Sequence, residues 1–139
     1  MASNIVEILT KIDGLTSELS RLEIYTFGCA ADKLFQVVDP NTRHRVPFYE
    51  HFANTGDYVA RIGVFRRRFP DDIPFPGNIF VKQQEGHLLG EHYLPGNQSC
   101  ALLTTRGVAA REYKCINREG ITPRLYSYLP QANNLMLSH

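Results

Sequence analysis

The stretch NIVEILTKIDGLTSELSRL, Asn4 to Leu22, decides how the rest of the chain is read. Its apolar residues Ile5, Ile8, Ile12, Leu15, Leu19 and Leu22 advance by alternating steps of three and four. That period of about 3.5 residues keeps one helical seam turned toward a partner. Ser3 or Asn4 can cap the opening turn, and Glu7 follows Asn4 at the spacing of a capping box. The pattern predicts a helix over 4–22. Ile5, Ile12 and Leu19 hold one seam position and Ile8, Leu15 and Leu22 the other, an arrangement that favours two parallel strands of a coiled coil. The expected partner is a second copy of the chain, in a homodimer or higher homo-oligomer. The same stripe could instead lie on the protein's own sheet, and Gly14 weakens the helix by about 1 kcal/mol relative to alanine.

From Leu22 onward the period drops to two. Leu22 to Phe27 alternates as a half-buried strand, Gly28 to Asp32 supplies a turn, and Leu34 to Val38 reads as a second strand. Asp39 to Thr42 is a strong turn signal, because Pro40 sets φ while Asp39 and Asn41 can bond their own backbone. Arg43 to Tyr49 then returns as the other arm of a hairpin. After a turn at Asn54 to Asp57, Tyr58 to Phe65 alternates as a further strand. Pro70, Pro74 and Pro76 interrupt pairing in the longest loop. Asn78 to Lys82 and Leu88 to Leu94 read as strands around a turn at Glu85 and Gly86, followed by Ser99 to Thr104. Val108 to Arg118 reads as a short helix stopped by Gly120, and Ile121 to Leu129 as a last strand. The expected fold class is α+β: an N-terminal amphipathic oligomerisation helix, a mainly antiparallel β-rich body with one short C-terminal helix, and a tail over 130–139.

A chain of 139 residues, 43% of them hydrophobic, is long enough for one core and is read as one domain over 1–139. Fifteen Lys and Arg against fourteen Asp and Glu leave a net charge of +1. No overall field draws it to a nucleic acid polymer or a membrane surface. No apolar run approaches the roughly 20 residues that a membrane span needs. Cys29, Cys100 and Cys115 form no CxxC pair and follow no leader-like stretch, so they are read as reduced thiols of a cytoplasmic protein.

No Walker loop, GxGxxG, GxSxG or HExxH is present, and the five histidines show no metal-ligand spacing. No catalytic residue, metal or cofactor is assigned. Tyr58, Arg61, Phe80, Glu91, Tyr93, Arg106, Arg111 and Tyr113 instead put rings, guanidinium groups and one carboxylate on successive elements. These are the materials that grip planar and anionic ligands. Tyrosine and phenylalanine on strands also serve commonly as core, and arginine as solvated surface. The reading is a non-enzymatic protein that senses or sequesters a planar, possibly phosphorylated, nucleotide-like small molecule. Its rivals are a small hydrolase using Cys100 or Cys115 with His92, and a purely structural oligomer.

Tyr93 to Asn97, then Cys100 to Leu103, Gly107, a short helix with Tyr113 and Ile116, and Gly120 with Ile121 resemble the closing half of effector-binding (GyrI-like) domains of MerR-type regulators. The leading helix resembles that family's dimerisation helix. The resemblance implies a ligand sensor with aromatic walls and an acidic residue, for which Glu91 and Tyr93 are the candidates. In architecture alone the chain is similar to small phage proteins that soak up nucleotide signals, a role that Arg61, Arg106, Arg111 and Phe80 would suit.

Overall fold

The computed structural model describes residues 2–12, 15, 17–31, 34–66, 75–93 and 113–128. Along the chain come helix α1 (Ala2–Thr10), β1 (Glu23–Phe27), β2 (Val37–Val38), β3 (Arg45–Val46), β4 (Phe48–Gly56), helix α2 (Tyr58–Ile62), β5 (Asn78–Glu85) and β6 (Lys114–Cys115). Four strands form one sheet in the order β1-β4-β5-β6, and β2 pairs with β3 in a separate antiparallel hairpin. The α+β composition is as expected. In the main sheet, however, β1 and β5 both run parallel to β4, and only the β5–β6 pair is antiparallel. That departs from a mainly antiparallel body.

The central strand β4 explains the difference. A central parallel strand is buried on both faces, and β4 is buried from Tyr49 to Asn54. Its sequence FYEHFANTG hides this, because Glu50, His51 and Asn54 are polar. Each is satisfied by distant groups: Glu50 accepts the amides of Arg124 and Leu125 at 2.8 and 3.1 Å, and His51 bonds Thr26 and the Pro76 carbonyl, both at 2.7 Å. Buried polar groups with partners are tolerated where unpaired ones are not. Across the strands, Phe27, Phe52 and Phe80 stand in one row, their rings offset-stacked at 5.2 and 5.4 Å. This ladder aligns the three parallel strands just before their C-terminal ends.

The leading helix is shorter than the 4–22 expected. It begins at Ala2, so Asn4 lies inside it, and after Thr10 it gives way to a turn before a separate 3-10 turn at Glu18–Arg21. Past Thr10 the amides of Lys11 and Ile12 bond the carbonyls of Ile8 and Leu9, three residues back, so the α-helical ladder has already given way to a 3-10 pattern. The stripe is split accordingly. Val6, Leu19 and Val46 form a core with Leu9, Leu22, Ile24, Phe35 and Val37, while Ile5, Ile8 and Ile12 remain about half exposed.

Three further expectations give way for local reasons. Tyr58 to Phe65 is not a strand: Asp57 caps α2 by accepting from the amides of Val59 and Ala60 at 2.8 and 3.3 Å. Ala60 and Val64 then seal the sheet against Ala53 and Ile79. Leu88 to Leu94 is not a strand either, since Leu89–Tyr93 winds into one π-helical turn, and His92 N also donates to Leu88 O at 2.8 Å. Within Ile121 to Leu129, Arg124–Tyr128 forms a 3-10 turn whose first amides are held by Glu50. Of the helix expected over Val108 to Arg118, the described part carries β6 instead; the strand expected at Ser99 to Thr104 lies outside the described residues. The Asp39 turn is as expected, with Asp39 accepting from the Asn41 amide at 2.8 Å and the Thr42 hydroxyl at 3.0 Å, but its hairpin is shorter than expected: Val37–Val38 pairs with Arg45–Val46, and Phe48 and Tyr49 belong to β4. Among the described residues no helix is long and apolar enough to cross a membrane.

Candidate functional site

Because β1, β4 and β5 run parallel, their C-terminal ends share one edge of the sheet, the edge where open parallel sheets place their chemistry. Asp57 follows β4 directly, and His87 lies two residues beyond β5. His87 Nδ1 is 3.0 Å from Asp57 Oδ2. Asp57 is fully buried while the His87 side chain is about half exposed. Burial by itself would raise the Asp57 pKa, but donors from Tyr93, His87 and the Val59 and Ala60 amides outweigh it and hold the carboxyl below its ordinary value. The ionised carboxylate can only accept, so Nδ1 of His87 is the donor to it, and Nε2 is the ring nitrogen turned away.

The pair is tightly framed. Tyr93 donates its hydroxyl to Asp57 Oδ2 and accepts from the Asn54 amide at 3.1 Å. Burial first, and the Asp57 carboxylate second, raise the Tyr93 pKa, so it remains a donor. Asn54 donates to the carbonyls of Gly86 and His92 at 3.4 and 3.3 Å and accepts from Tyr113 Oη at 3.3 Å. Its side chain thus ties the loop carrying His87 to β4. His92 Nδ1 accepts from the Leu88 amide at 2.9 Å, closing that loop. Gly28, at φ +56°, passes so close that a Cβ would strike Asp57 Oδ2 and come within 2.9 Å of His87 Nδ1 and 3.0 Å of Tyr93 Oη. Only glycine fits there.

The opposite edge holds a different feature, a cleft of about 580 Å³ at the N-terminal ends of β4 and β5. Arg43, Arg45 and Arg118 line it together with Phe48, Phe75 and Asn78. Among the described residues none of the three guanidinium groups has an acidic partner. Arg43 adopts φ +62°, left-handed backbone that costs a non-glycine residue about 1 kcal/mol; its amide is held by the Asp39 carbonyl at 2.9 Å. Behind Phe75, the buried His51 donates Nε2–H to Pro76 O, which leaves Nδ1 to accept from Thr26. Burial lowers its pKa to about 4 despite that bond to the carbonyl, so this imidazole is neutral.

Of the residues expected to bind ligand, Phe80, Tyr93 and Tyr113 share one aromatic cluster, while Tyr58 and Arg61 stand apart from it. Tyr58 and Arg61 are exposed on α2, with Arg61 Nε donating to Thr55 O at 3.4 Å. Phe80 belongs to the buried ladder, and Tyr93 and Tyr113 support Asn54 and Asp57. The Glu91 side chain, Arg106 and Arg111 lie outside the described residues. Reading the sequence missed Asp57 and His87. An available signal was an aspartate placed to cap the segment after a strand, followed by a histidine beyond the next strand. Arg43, Arg45 and Arg118 escaped notice as a group because Arg118 lies far along the chain from the other two. Comparison with protein-family models, curated proteins and solved structures finds no match for this chain.

Proposed function

We propose that Asp57 and His87 are the orienting acid and the general base of a hydrolytic site acting on an ester or amide. What carries this reading is the Asp57–His87 bond at the C-terminal edge of consecutive parallel strands. Carboxylate before histidine, each after its own strand, is the placement and chain order of the last two members of α/β-hydrolase triads. Asp57 holds the imidazole in one tautomer, and Nε2 takes the proton of an attacking hydroxyl. The imidazolium that forms is stabilised by the carboxylate beneath it. Among the described residues no serine, threonine or cysteine side chain bonds Nε2. In place of the Cys–His pairing expected with His92, the reading moves the base to His87: His92 Nδ1 is occupied by the Leu88 amide, and Cys115 Sγ contacts Asn117 Oδ1 at 3.3 Å.

The test is hydrolysis of p-nitrophenyl esters of graded acyl length by the wild type, Asp57→Asn and His87→Ala. Each variant is expected to lose about 10²–10⁴-fold in rate with its circular dichroism unchanged. Labelling by a fluorophosphonate marks a side-chain nucleophile, and an active but unlabelled protein marks water. Undiminished hydrolysis by His87→Ala, or no hydrolysis of any ester by the wild type, overturns the reading.

A second reading is favoured by the cleft at the other edge: binding, without turnover, of a planar anionic small molecule such as a nucleotide, in a cytoplasmic homo-oligomer. The three guanidinium groups, without acidic partners among the described residues, supply forked donors for phosphate, and Phe48 and Phe75 supply flat apolar walls. The half-exposed Ile5, Ile8 and Ile12 support association of copies. Calorimetry with nucleoside monophosphates should show binding that Arg45→Ala weakens about tenfold. Return of a modified nucleotide after denaturation, or indifference to Arg45→Ala, removes this reading. Light scattering of Ile8→Glu should show a reduced molar mass.

A further inference from the structure

Asn78 opens β5 and is only 7% exposed. The polar groups around it are served by Asn117, whose Nδ2 donates to Gly77 O at 2.8 Å and whose Oδ1 accepts from Ile79 N at 3.0 Å. Asn78 has no such duty. Its Oδ1 is the one buried side-chain polar atom among the described residues that lacks a hydrogen-bond partner. Leaving a buried acceptor unmet costs stability, and an apolar side chain of the same size would avoid that cost. Yet Asn78 lines the cleft, beside the aromatic walls of Phe48 and Phe75 and the guanidinium groups of Arg43, Arg45 and Arg118. The terminal torsion of an asparagine is soft, so its oxygen can be turned toward a guest.

We infer that Asn78 reads an N–H donor on the edge of the planar ring held in this cleft, so the ligand is a nucleoside phosphate rather than a plain aromatic acid. This rests on the binding reading of the cleft and adds to it what the ring must carry. The guanidinium groups take the phosphate, the phenylalanine rings take the faces of the base, and Asn78 Oδ1 accepts from an amino or ring N–H on its rim. A site built to accept such a bond rejects analogues that lack the donor, because the acceptor is then left unmet.

The experiment is calorimetry of AMP, GMP, CMP and UMP against purine riboside 5′-monophosphate, whose base bears no N–H, on the wild type, Asn78→Leu and Arg45→Ala. At least one N–H-bearing nucleotide is expected to bind the wild type about tenfold or more tighter than purine riboside monophosphate. Asn78→Leu should erase that preference while its ligand-free melting temperature stays level or rises. Arg45→Ala should weaken all ligands alike. Equal affinity of the wild type for both kinds of base, with Arg45→Ala still weakening them, overturns the role of Asn78 and leaves the binding reading standing. Absence of any Arg45-dependent nucleotide binding overturns both. A fall in the melting temperature of Asn78→Leu marks Asn78 as structural and overturns the inference, and should that variant not fold, the analogue comparison on the wild type decides alone.

Discussion

At the C-terminal edge of the parallel strands, the Asp57 carboxylate takes four donors, and the loop that carries His87 is pinned through Asn54 and His92. At the N-terminal edge of the same strands, Asn78 Oδ1 takes no donor, and the guanidinium groups around it face no carboxylate among the described residues. At the first edge the buried carboxylate has its donors in place, while at the second a buried acceptor is left short of partners. The contrast is the one that the two proposed roles would call for. Proton transfer needs a base fixed in tautomer and direction, so its surroundings are saturated. A binding cleft gains affinity from groups whose bonds are made only when the ligand enters.

The largest expected effect separates the edges directly. His87→Ala should lower ester hydrolysis by about 10²–10⁴-fold and leave the dissociation constants of nucleotides unchanged. Arg45→Ala should do the reverse, as steady-state kinetics and calorimetry on both proteins will show. Joint loss of both properties in either variant would mean that the edges are not independent.

Acid should weaken the molecule through the side nearer the cleft. The folded pKa of His51, lowered to about 4, lies below the ordinary 6.5 of the unfolded chain. The unfolded chain therefore takes up its proton first. The penalty is absent above pH 6.5, grows as the pH falls, and reaches about 3 kcal/mol near pH 4. Urea unfolding across that range should show this slope, and His51→Gln should flatten it. The Asp57 carboxyl, held below its usual range, keeps its bonds until more acid conditions.

Two glycines sharpen the comparison further. Gly28→Ala drives a Cβ into Asp57 and His87 from left-handed backbone, and should cost at least about 2 kcal/mol together with the proposed esterase activity. Gly120 has a similar φ of +69° but open space around it. Gly120→Ala should therefore show the smallest effect, about 1 kcal/mol from the backbone alone. Chemical denaturation of both variants measures the difference, and equal losses would show that close packing at Gly28 is not what demands glycine.

Part of the fold is legible in the amino-acid sequence. The strand at 23–27, the Asp39 turn and the strand beginning at Asn78 all stand where alternation and turn chemistry place them, because their determinants lie within a few residues. The strand β4 is not legible in that way: Glu50 finds its partners 74 and 75 residues away and His51 both of its own 25 away, so their polarity reads locally as exposure. The alternation of Tyr58 to Phe65 is outweighed by one cap at Asp57 and by the packing of Ala60. The stripe from Ile5 to Leu22 carries a true apolar signal, but it is shared between a helix that ends at Thr10 and a separate 3-10 turn at Glu18–Arg21.

The order of residues settled where the chain turns and which short segments extend, since those choices are made between neighbours. Tertiary structure alone decided that β1, β4 and β5 run parallel, and with that which ends meet. Asp57 and His87 are 30 residues apart and reach 3.0 Å where the parallel pairing of β4 with β5 sets the ends of those two strands side by side. A hydrogen bond depends on distance in space, and no local pattern records that distance.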